Sequence, residues 1–429
     1  MTQTEAIPTG YKKTEVGIIP EDWNVKTLVE VSENVKVGLA TSVTKYYRNK
    51  GIPIIRNLNI KDGFFDDRDM LYLDEDFAKA NLSKSAKGLD VLTVHTGANL
   101  GLTCVLPKRY DKCQTFTTLI TTPKKSIIDS YYLCYHMCSF FGKKEMKKLE
   151  VGGGKGNLNT ADLKKYRIFF PPNINEQKAI ARVLSDTDAL IESLEKLIAK
   201  KKAIKQGAMQ QLLNGKKRLP GFSGEWGTKK FKEKYVTNLI TCGLAATPQY
   251  VPENNGIPFL SSTNIKNGKV IWTNFKYISK DLHRQLYRNN PPLKGDILYS
   301  RVGTIGEAAI VNVDFEFSIY VSLTLIKPGK LLHNEFTKQL LNSYTYKTLA
   351  KNTVFLGGGV GNLNVNVVRE FPISFPSFKE QTAIANILSD MDSEIEKLEQ
   401  KKDKYNLLKQ GMMQQLLTGK IRLVKNGDN

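Results

Sequence analysis

The chain has 429 residues, 41% of them hydrophobic, with 63 Lys+Arg against 42 Asp+Glu, a formal net charge of +21. That is length for about three units of roughly 150 residues with buried cores, which argues against a fibrous or disordered chain. The excess positive charge calls for an anionic partner, nucleic acid first, with an anionic membrane surface or an acidic protein behind it.

The chain is a tandem duplication, so its elements come in pairs. Gly156-Asn157-Leu158-Asn159 returns as Gly361-Asn362-Leu363-Asn364, and Glu176-Gln177-Lys178-Ala179-Ile180-Ala181 as Glu380-Gln381-Thr382-Ala383-Ile384-Ala385. Leu184-Ser185-Asp186 matches Leu388-Ser389-Asp390, and Met209-Gln210-Gln211-Leu212-Leu213 matches Met413-Gln414-Gln415-Leu416-Leu417, each 204 or 205 residues later. Looser matches lie upstream: Trp23 with Trp226, Gly38-Leu39-Ala40 with Gly243-Leu244-Ala245, Gly51-Ile52-Pro53 with Gly256-Ile257-Pro258, and Asn59-Ile60-Lys61 with Asn264-Ile265-Lys266. Between these anchors the halves differ freely, giving the order variable block, shared block, variable block, shared block.

In chain order, an N-terminal segment (1–20) precedes the first variable block, 21–172. Its start, Met1-Thr2-Gln3-Thr4-Glu5, has neither the basic nor the apolar region of a secretory signal. Short β-branched and aromatic runs between Gly, Pro and Asn, such as Ile52-Pro53-Ile54-Ile55 and Asp90-Val91-Leu92-Thr93-Val94, predict an α+β domain. A helical stretch around 131–148 closes it before a glycine-rich loop. Pro171-Pro172 then hold the chain extended where the first long helix, 173–217, can start. Its apolar positions are Ile180, Leu184, Ile191, Leu194, Ile198, Ile204 and Leu212. A helix over 176–214 rises roughly 58 Å, a spacer by dimension alone.

The second variable block, 218–376, repeats the strand pattern in Asp296-Ile297-Leu298-Tyr299-Ser300 and Leu323-Thr324-Leu325-Ile326, with a helical stretch around 335–350. Pro376 precedes the second long helix, 377–424, and a tail (425–429) follows. Ile384, Leu388, Met391, Ile395, Leu398, Tyr405, Leu408, Met412 and Leu416 follow the alternating spacing of a coiled-coil seam. Lys201 and Lys402 fall on that seam. Gly207 and Gly411 each cost about 1 kcal/mol of helix propensity, which close packing of a neighbouring backbone would explain. Asn214-Gly215 and Thr418-Gly419 read as helix stops. An antiparallel helix pair would let helix one end where helix two begins. The expected fold class is therefore α+β, two similar globular domains separated by two long antiparallel helices and related by an approximate twofold axis. Duplex DNA has such axes too.

Motifs for catalysis are sparse. Asn290-Pro291-Pro292-Leu293 is close to the Asn-Pro-Pro-aromatic signature of amino-methyltransferases, but leucine replaces the stacking aromatic, and the segment reads as a turn. Gly152-Gly153-Gly154-Lys155-Gly156 lacks the ending of a phosphate-binding P-loop. Lys155 and its glycines could instead approach DNA phosphate, or simply connect helix to strand. Cys104, Cys113, Cys134 and Cys138 with His136 lack a second close pair for zinc and read as buried positions. Five cysteines suit a reducing compartment. No apolar run approaches the roughly 18 residues that span a bilayer, so a cytoplasmic protein with no membrane partner is expected. Base readout needs paired donors and acceptors. The candidates are Lys45, Arg56, Lys61 and His95 in the first domain, and Thr247, Gln249, Tyr250, Lys266 and Arg301 in the second.

These residues carry a resemblance. The duplicated Glu-Gln-x-Ala-Ile-Ala and Leu-Ser-Asp segments resemble the specificity (S) subunit of type I restriction–modification systems, as do the endings at 210–219 and 414–423 and the run Gly295-Asp296-Ile297-Leu298-Tyr299-Ser300-Arg301-Val302-Gly303. The likeness covers nearly the whole chain. It implies two target recognition domains, each reading one half of a split duplex target, with helices that set the gap. It also implies a bacterial or archaeal, non-catalytic chain with no cofactor of its own. Two methyltransferase (M) subunits that use S-adenosylmethionine would dock on it, and restriction (R) subunits that use ATP and Mg could join them. The first half departs from the pattern, reading Gly88-Leu89-Asp90-Val91-Leu92-Thr93-Val94-His95, so no arginine role carries to His95. The alternatives are a nucleic-acid-binding scaffold and a self-contained DNA methyltransferase or nuclease.

Overall fold

A computed structural model describes residues 7–150, 156–357 and 360–423. Two compact units emerge, one of residues 1–193 with 401–429 and one of residues 194–400. Each takes one variable block and a part of both long helices.

The first unit is built on a four-stranded antiparallel sheet in the order Ser32–Val37, Thr118–Pro123, Val91–Val94, Thr103–Val105. The second repeats it as Thr237–Cys242, Leu323–Pro328, Ile297–Ser300, Ala308–Ile310. The central strands are apolar runs because both faces of the sheet are covered. With side chains alternating along a strand, Val91 and Leu119 face a helical layer containing Tyr132, Leu133 and Met137. Leu92, Cys104 and Ile120 face the opposite layer with Ile55 and Ile60. In the second unit Ile297 and Ile326 join Phe336 and Leu340, while Leu298 and Leu325 join Leu260 and Ile265. In both, a second sheet, of four strands in one unit and three in the other, contains a parallel pair, Gln114↔Ile54 in one and Phe259↔Ser318 in the other.

The helical stretch expected over 131–148 is two helices, Ser130–Cys138 and Phe140–Lys148, and that of the second unit is also two, Asn334–Leu341 and Tyr344–Asn352. The break has a local cause. Ser139 and Ser343 adopt extended backbone, and each hydroxyl accepts the N–H three residues on, from Gly142 and Tyr346, so each serine caps a new helix.

The layer beneath includes His136, whose buried ring stands 4.6 Å from Phe169 and shares a 2.8 Å hydrogen bond between Nδ1 and the Tyr166 hydroxyl. Burial lowers its pKa to about 3, so the folded chain holds it neutral. The unfolded chain protonates this ring near pH 6.5 and binds more protons below that pH. The contribution of His136 to stability is therefore full above pH 6.5 and declines by about 1.4 kcal/mol per pH unit below it, down to the folded value. Replacing His136 with glutamine is expected to flatten the loss of first-unit stability between pH 6.5 and 5 by about 2 kcal/mol, read from urea midpoints at the two pH values.

The long helices are Ile174–Leu212 and Phe378–Leu416, each 39 residues. Both stop short of the expected ends at 217 and 424, because Gly215 and Gly419 turn left-handed at φ 69° and 70°. A side chain at Gly419 would collide with Pro20 and Trp23, and one at Gly215 would press on Trp226. The matched tryptophans thus receive the matched helix ends.

Within each unit the helix segments run antiparallel. In the first, Lys409 pairs with Asp188 at 2.6 Å and Arg422 with Glu176 at 2.5 Å. In the second, Lys201 pairs with Glu394, Lys205 with Asp392 and Arg218 with Glu380, each at 2.6 Å. Ile180 and Leu184 sit in one domain core with Leu416, and Ile384 and Leu388 in the other with Leu212. Leu194, Ile198 and Ile395 are buried, whereas Ile191, Met391, Leu398 and Tyr405 are half-buried.

Three expectations for the helices need correction. Lys201 does not interrupt the seam, because its ammonium reaches out to Glu394. Ile204 and Leu408 are not seam residues, being 48% and 49% exposed. Gly207 and Gly411 do not admit a neighbouring backbone, since a Cβ at either would meet nothing within 4 Å. Alanine at both positions is expected to stabilise the chain alone by about 1 kcal/mol per site, measured by thermal unfolding.

Candidate nucleic-acid interface

The strand Ile297–Ser300 ends at Arg301, which is only 7% exposed. Its Nε donates to the Leu363 carbonyl at 2.9 Å and its Nη2 to Asn362 Oδ1 at 3.1 Å, while its own carbonyl accepts Leu363 N–H. The expectation that Arg301 reads bases is corrected, for its guanidinium holds the Gly-Asn-Leu-Asn segment in place. His95 occupies the matching position. Its carbonyl accepts Leu158 N–H, its side chain bonds to Asn157, and burial, the larger effect, lowers its pKa. His95 Nε2 is buried and has no hydrogen-bond partner among the described residues.

The duplicated Gly-Asn-Leu-Asn segment now has a physical account. Its first asparagine bridges to the residue after His95 or Arg301 (Thr96↔Asn157, Val302↔Asn362). Its leucine is fully buried, and its second asparagine accepts a backbone N–H at the next helix start, from Asp162 at 2.9 Å and Asn366 at 2.8 Å.

A second pair of turns carries Lys61 and Lys266. Asn59 and Asn264 build them: Oδ1 accepts the N–H of Arg56 or Ser261, and Nδ2 donates across the turn to Asp66 or Ile271 and Thr273. Lys266 is exposed and Lys61 half-buried at the matching position. Arg56 is half-buried, and its Nη2 donates to the Asp69 carbonyl at 2.6 Å.

Further out in the second unit, Thr247, Gln249 and Tyr250 are exposed. Thr247 Oγ1 lies 3.2 Å from the Tyr320 hydroxyl, and Lys276 Nζ sits 4.2 Å over the Tyr250 ring. Phe259 joins the two tyrosines, 6.4 Å from one ring and 5.9 Å from the other. Sequence reasoning missed Lys276, at the start of the strand Lys276–Ser279, and Tyr320, just after the strand Ser318–Ile319. In the first unit the exposed Lys45 lies over Tyr46 at 4.9 Å, and Tyr46 stacks on Phe77 at 3.8 Å. Aromatic faces beside ammonium groups, with amide and hydroxyl donors, can hold nucleic acid. Lys155 and its glycines lie outside the described residues.

Among the described residues no three His, Cys, Asp or Glu side chains are placed to hold a metal, and no helix is long and apolar enough to cross a membrane. Cys134 and Cys138 donate to the Thr103 carbonyl, and burial pushes the Cys113 thiol up to about 12. The Asn-Pro-Pro-Leu segment, expected as a turn, is an irregular connection from the helix Lys280–Asn289 to the turn at Lys294-Gly295, with the Pro291 carbonyl accepting from Lys327 Nζ.

Fold and site together define a protein that presents one α+β scaffold twice, with different polar side chains at matched places. The chain belongs to the family of the type I restriction modification DNA specificity domain, whose pattern matches residues 20–206 and 244–405. Specificity and not catalysis is the role of this family. A Methanocaldococcus jannaschii relative, provisionally named the MjaX type I restriction enzyme specificity subunit, is 28% identical over 440 aligned positions, covering 96% of this chain and 97% of the relative. The same fold occurs in the S subunit of a type I restriction–modification system from M. genitalium, with TM-score 0.60, 15% identity, and 92% and 96% of the two chains covered. It also occurs in a structure solved to explain complex assembly and conformational transition of a type I R-M system, with TM-score 0.55, 17% identity, and 94% and 99% covered.

Proposed function

We propose that this chain is the DNA-recognition subunit of a type I restriction–modification complex. Each unit reads one half of a bipartite duplex target, and the long helices set the gap and dock two methyltransferase subunits, through which restriction subunits join. S-adenosylmethionine, and ATP with Mg, act on those partners. The observation that carries the reading is the matched pair of sites: equal strand order and equal asparagine-built turns present Lys61 beside Arg56 in one unit and Lys266 beside Ser261 in the other. One scaffold with two side-chain sets suits two different half-sites.

The helices support the docking. Ile204 and Leu408 are exposed apolar residues at equivalent positions, each three residues before an uncovered glycine, Gly207 or Gly411. Two equal faces of this kind fit two copies of one partner whose helix approaches closely. Alanine at both glycines would then weaken capture of the methyltransferase subunit even as it stabilises the chain alone.

Competition between RNA and duplex DNA for the purified complex tests the reading, which requires preference for the duplex. If the helices are the ruler, inserting seven residues in each at matched positions adds about 10 Å and widens the methylated gap without changing the half-site bases. An unchanged gap rejects the ruler.

A further inference from the structure

We propose that the exposed faces of helices Phe140–Lys148 and Tyr344–Asn352 form an additional pair of duplex-DNA contacts, one per unit, gripping the sugar-phosphate backbone beside each half-site; the inference rests on the DNA-recognition reading above. The two units differ almost everywhere along these helices. Cys134 stands opposite Lys338, His136 opposite Leu340, Glu145 opposite Leu349 and Met146 opposite Ala350. Between 131–150 and 335–354 the only identical pairs are Ser139 and Ser343, Lys143 and Lys347, and Lys147 and Lys351, accompanied by an aromatic ring at 140 and 344.

Folding accounts for two of these matches. The serines cap their helices, and Lys143 and Lys347 are ion-paired with Asp62 and Glu307. It does not account for the others. Phe140 is 75% exposed and Tyr344 67%. Lys147 and Lys351 are exposed and have no ion-pair partner among the described residues. Ring and ammonium are seven positions apart, two turns along one helix face and about 10 Å in rise.

Placement within each unit selects the partner. Met146 packs 3.4 Å from where a Cβ on Gly101 would sit, and Ala350 3.2 Å from the corresponding point at Gly306. These glycines belong to the turns that follow His95 and Arg301. Each helix also leads into the segment bearing Asn157 or Asn362, so its buried face packs on a turn beside the candidate site of its own unit. An ammonium beside an apolar ring matches a phosphate beside the apolar edge of a sugar, and phosphate contacts position a protein without reading sequence. Retention along two helical stretches that otherwise diverged fits such a sequence-independent role.

The test is the salt dependence of full-chain binding to a mixed-sequence duplex. Removing two phosphate contacts with Lys147→Ala/Lys351→Ala is expected to reduce the slope of log affinity against log salt by about 1.8. Phe140→Ala/Tyr344→Ala should weaken binding several-fold with the slope kept, and Lys200→Ala/Lys404→Ala, on the long helices, should leave the slope unchanged. If the wild-type chain does not bind duplex DNA, the recognition reading itself falls. With wild-type binding intact, an unchanged slope for the Lys147/Lys351 variant, or an equal loss in the Lys200/Lys404 control, overturns this inference alone. So does loss of methyltransferase-subunit capture with DNA affinity unaltered, which would mark the face as a protein dock.

Discussion

Replacing Gln177 with leucine is expected to destabilise the first unit by about 3 kcal/mol, although the side chain is remote from the candidate interface. Gln177 is fully buried at the start of the first long helix. Its Oε1 accepts Asp129 N–H at 2.9 Å, and its Nε2 donates to the carbonyls of Ile127 at 3.0 Å and Pro171 at 2.9 Å. One amide thus serves three backbone groups of the turns on either side of the helix start. Leucine fills the space but leaves a buried donor and two acceptors unmade, at roughly 1–3 kcal/mol each, partly offset by its apolar surface. For a unit of about 200 residues that corresponds to a fall in Tm of roughly 6–12 °C. Gln381→Leu should do the same to the second unit, where the amide holds His333 N–H and the carbonyls of Leu331 and Pro376. Calorimetry of each variant decides it, and a fall below about 2 °C in both would show that the amide is dispensable.

Replacing Arg422 with alanine is expected to cost about 2–3 kcal/mol in the same unit. Arg422 donates to both oxygens of Glu176, at 2.5 and 2.8 Å, and to both of Asp22, at 3.0 and 2.9 Å. Glu176 is buried, so removing the guanidinium strands a carboxylate away from water, whereas the arginine itself keeps partial solvent access, which holds the cost below that of a fully enclosed pair. The hydrogen bond to Glu176 is the chief reason that the Arg422 pKa is raised. Neutralising the stranded group should recover much of the loss. Arg422→Ala/Glu176→Gln is therefore expected to be more stable than Arg422→Ala alone in urea unfolding, and a double variant no better than the single would contradict the pairing.

The same two residues show where the sequence is legible. Proline boundaries, the alternating apolar spacing and the left-handed glycines mark the long helices locally, and the duplication marks the pairing of units. That Glu176 and Arg422 answer each other, as Glu380 and Arg218 do, is not local, because each pair joins one repeat to the other across the chain. Arg301 was misread for a related reason: a basic residue after a strand looks alike whether it faces a ligand or ties down a neighbouring loop. The glycines of the helices were misread because propensity reports what they cost and not what covers them. The serine breaks at 139 and 343 are not legible locally, since a serine caps a new helix only when its own backbone is extended. Tyr320 and Lys276 could not be found by spacing, for the fold alone brings them to Thr247 and Tyr250.

The most direct test of the central claim is methylation mapping of genomic DNA from cells expressing this chain with its methyltransferase subunit, compared with cells lacking the chain. The account predicts a split motif with N6-methyladenine in both halves that appears only when the chain is present. An assembled complex that leaves no such motif, or that methylates a single uninterrupted site, would contradict it.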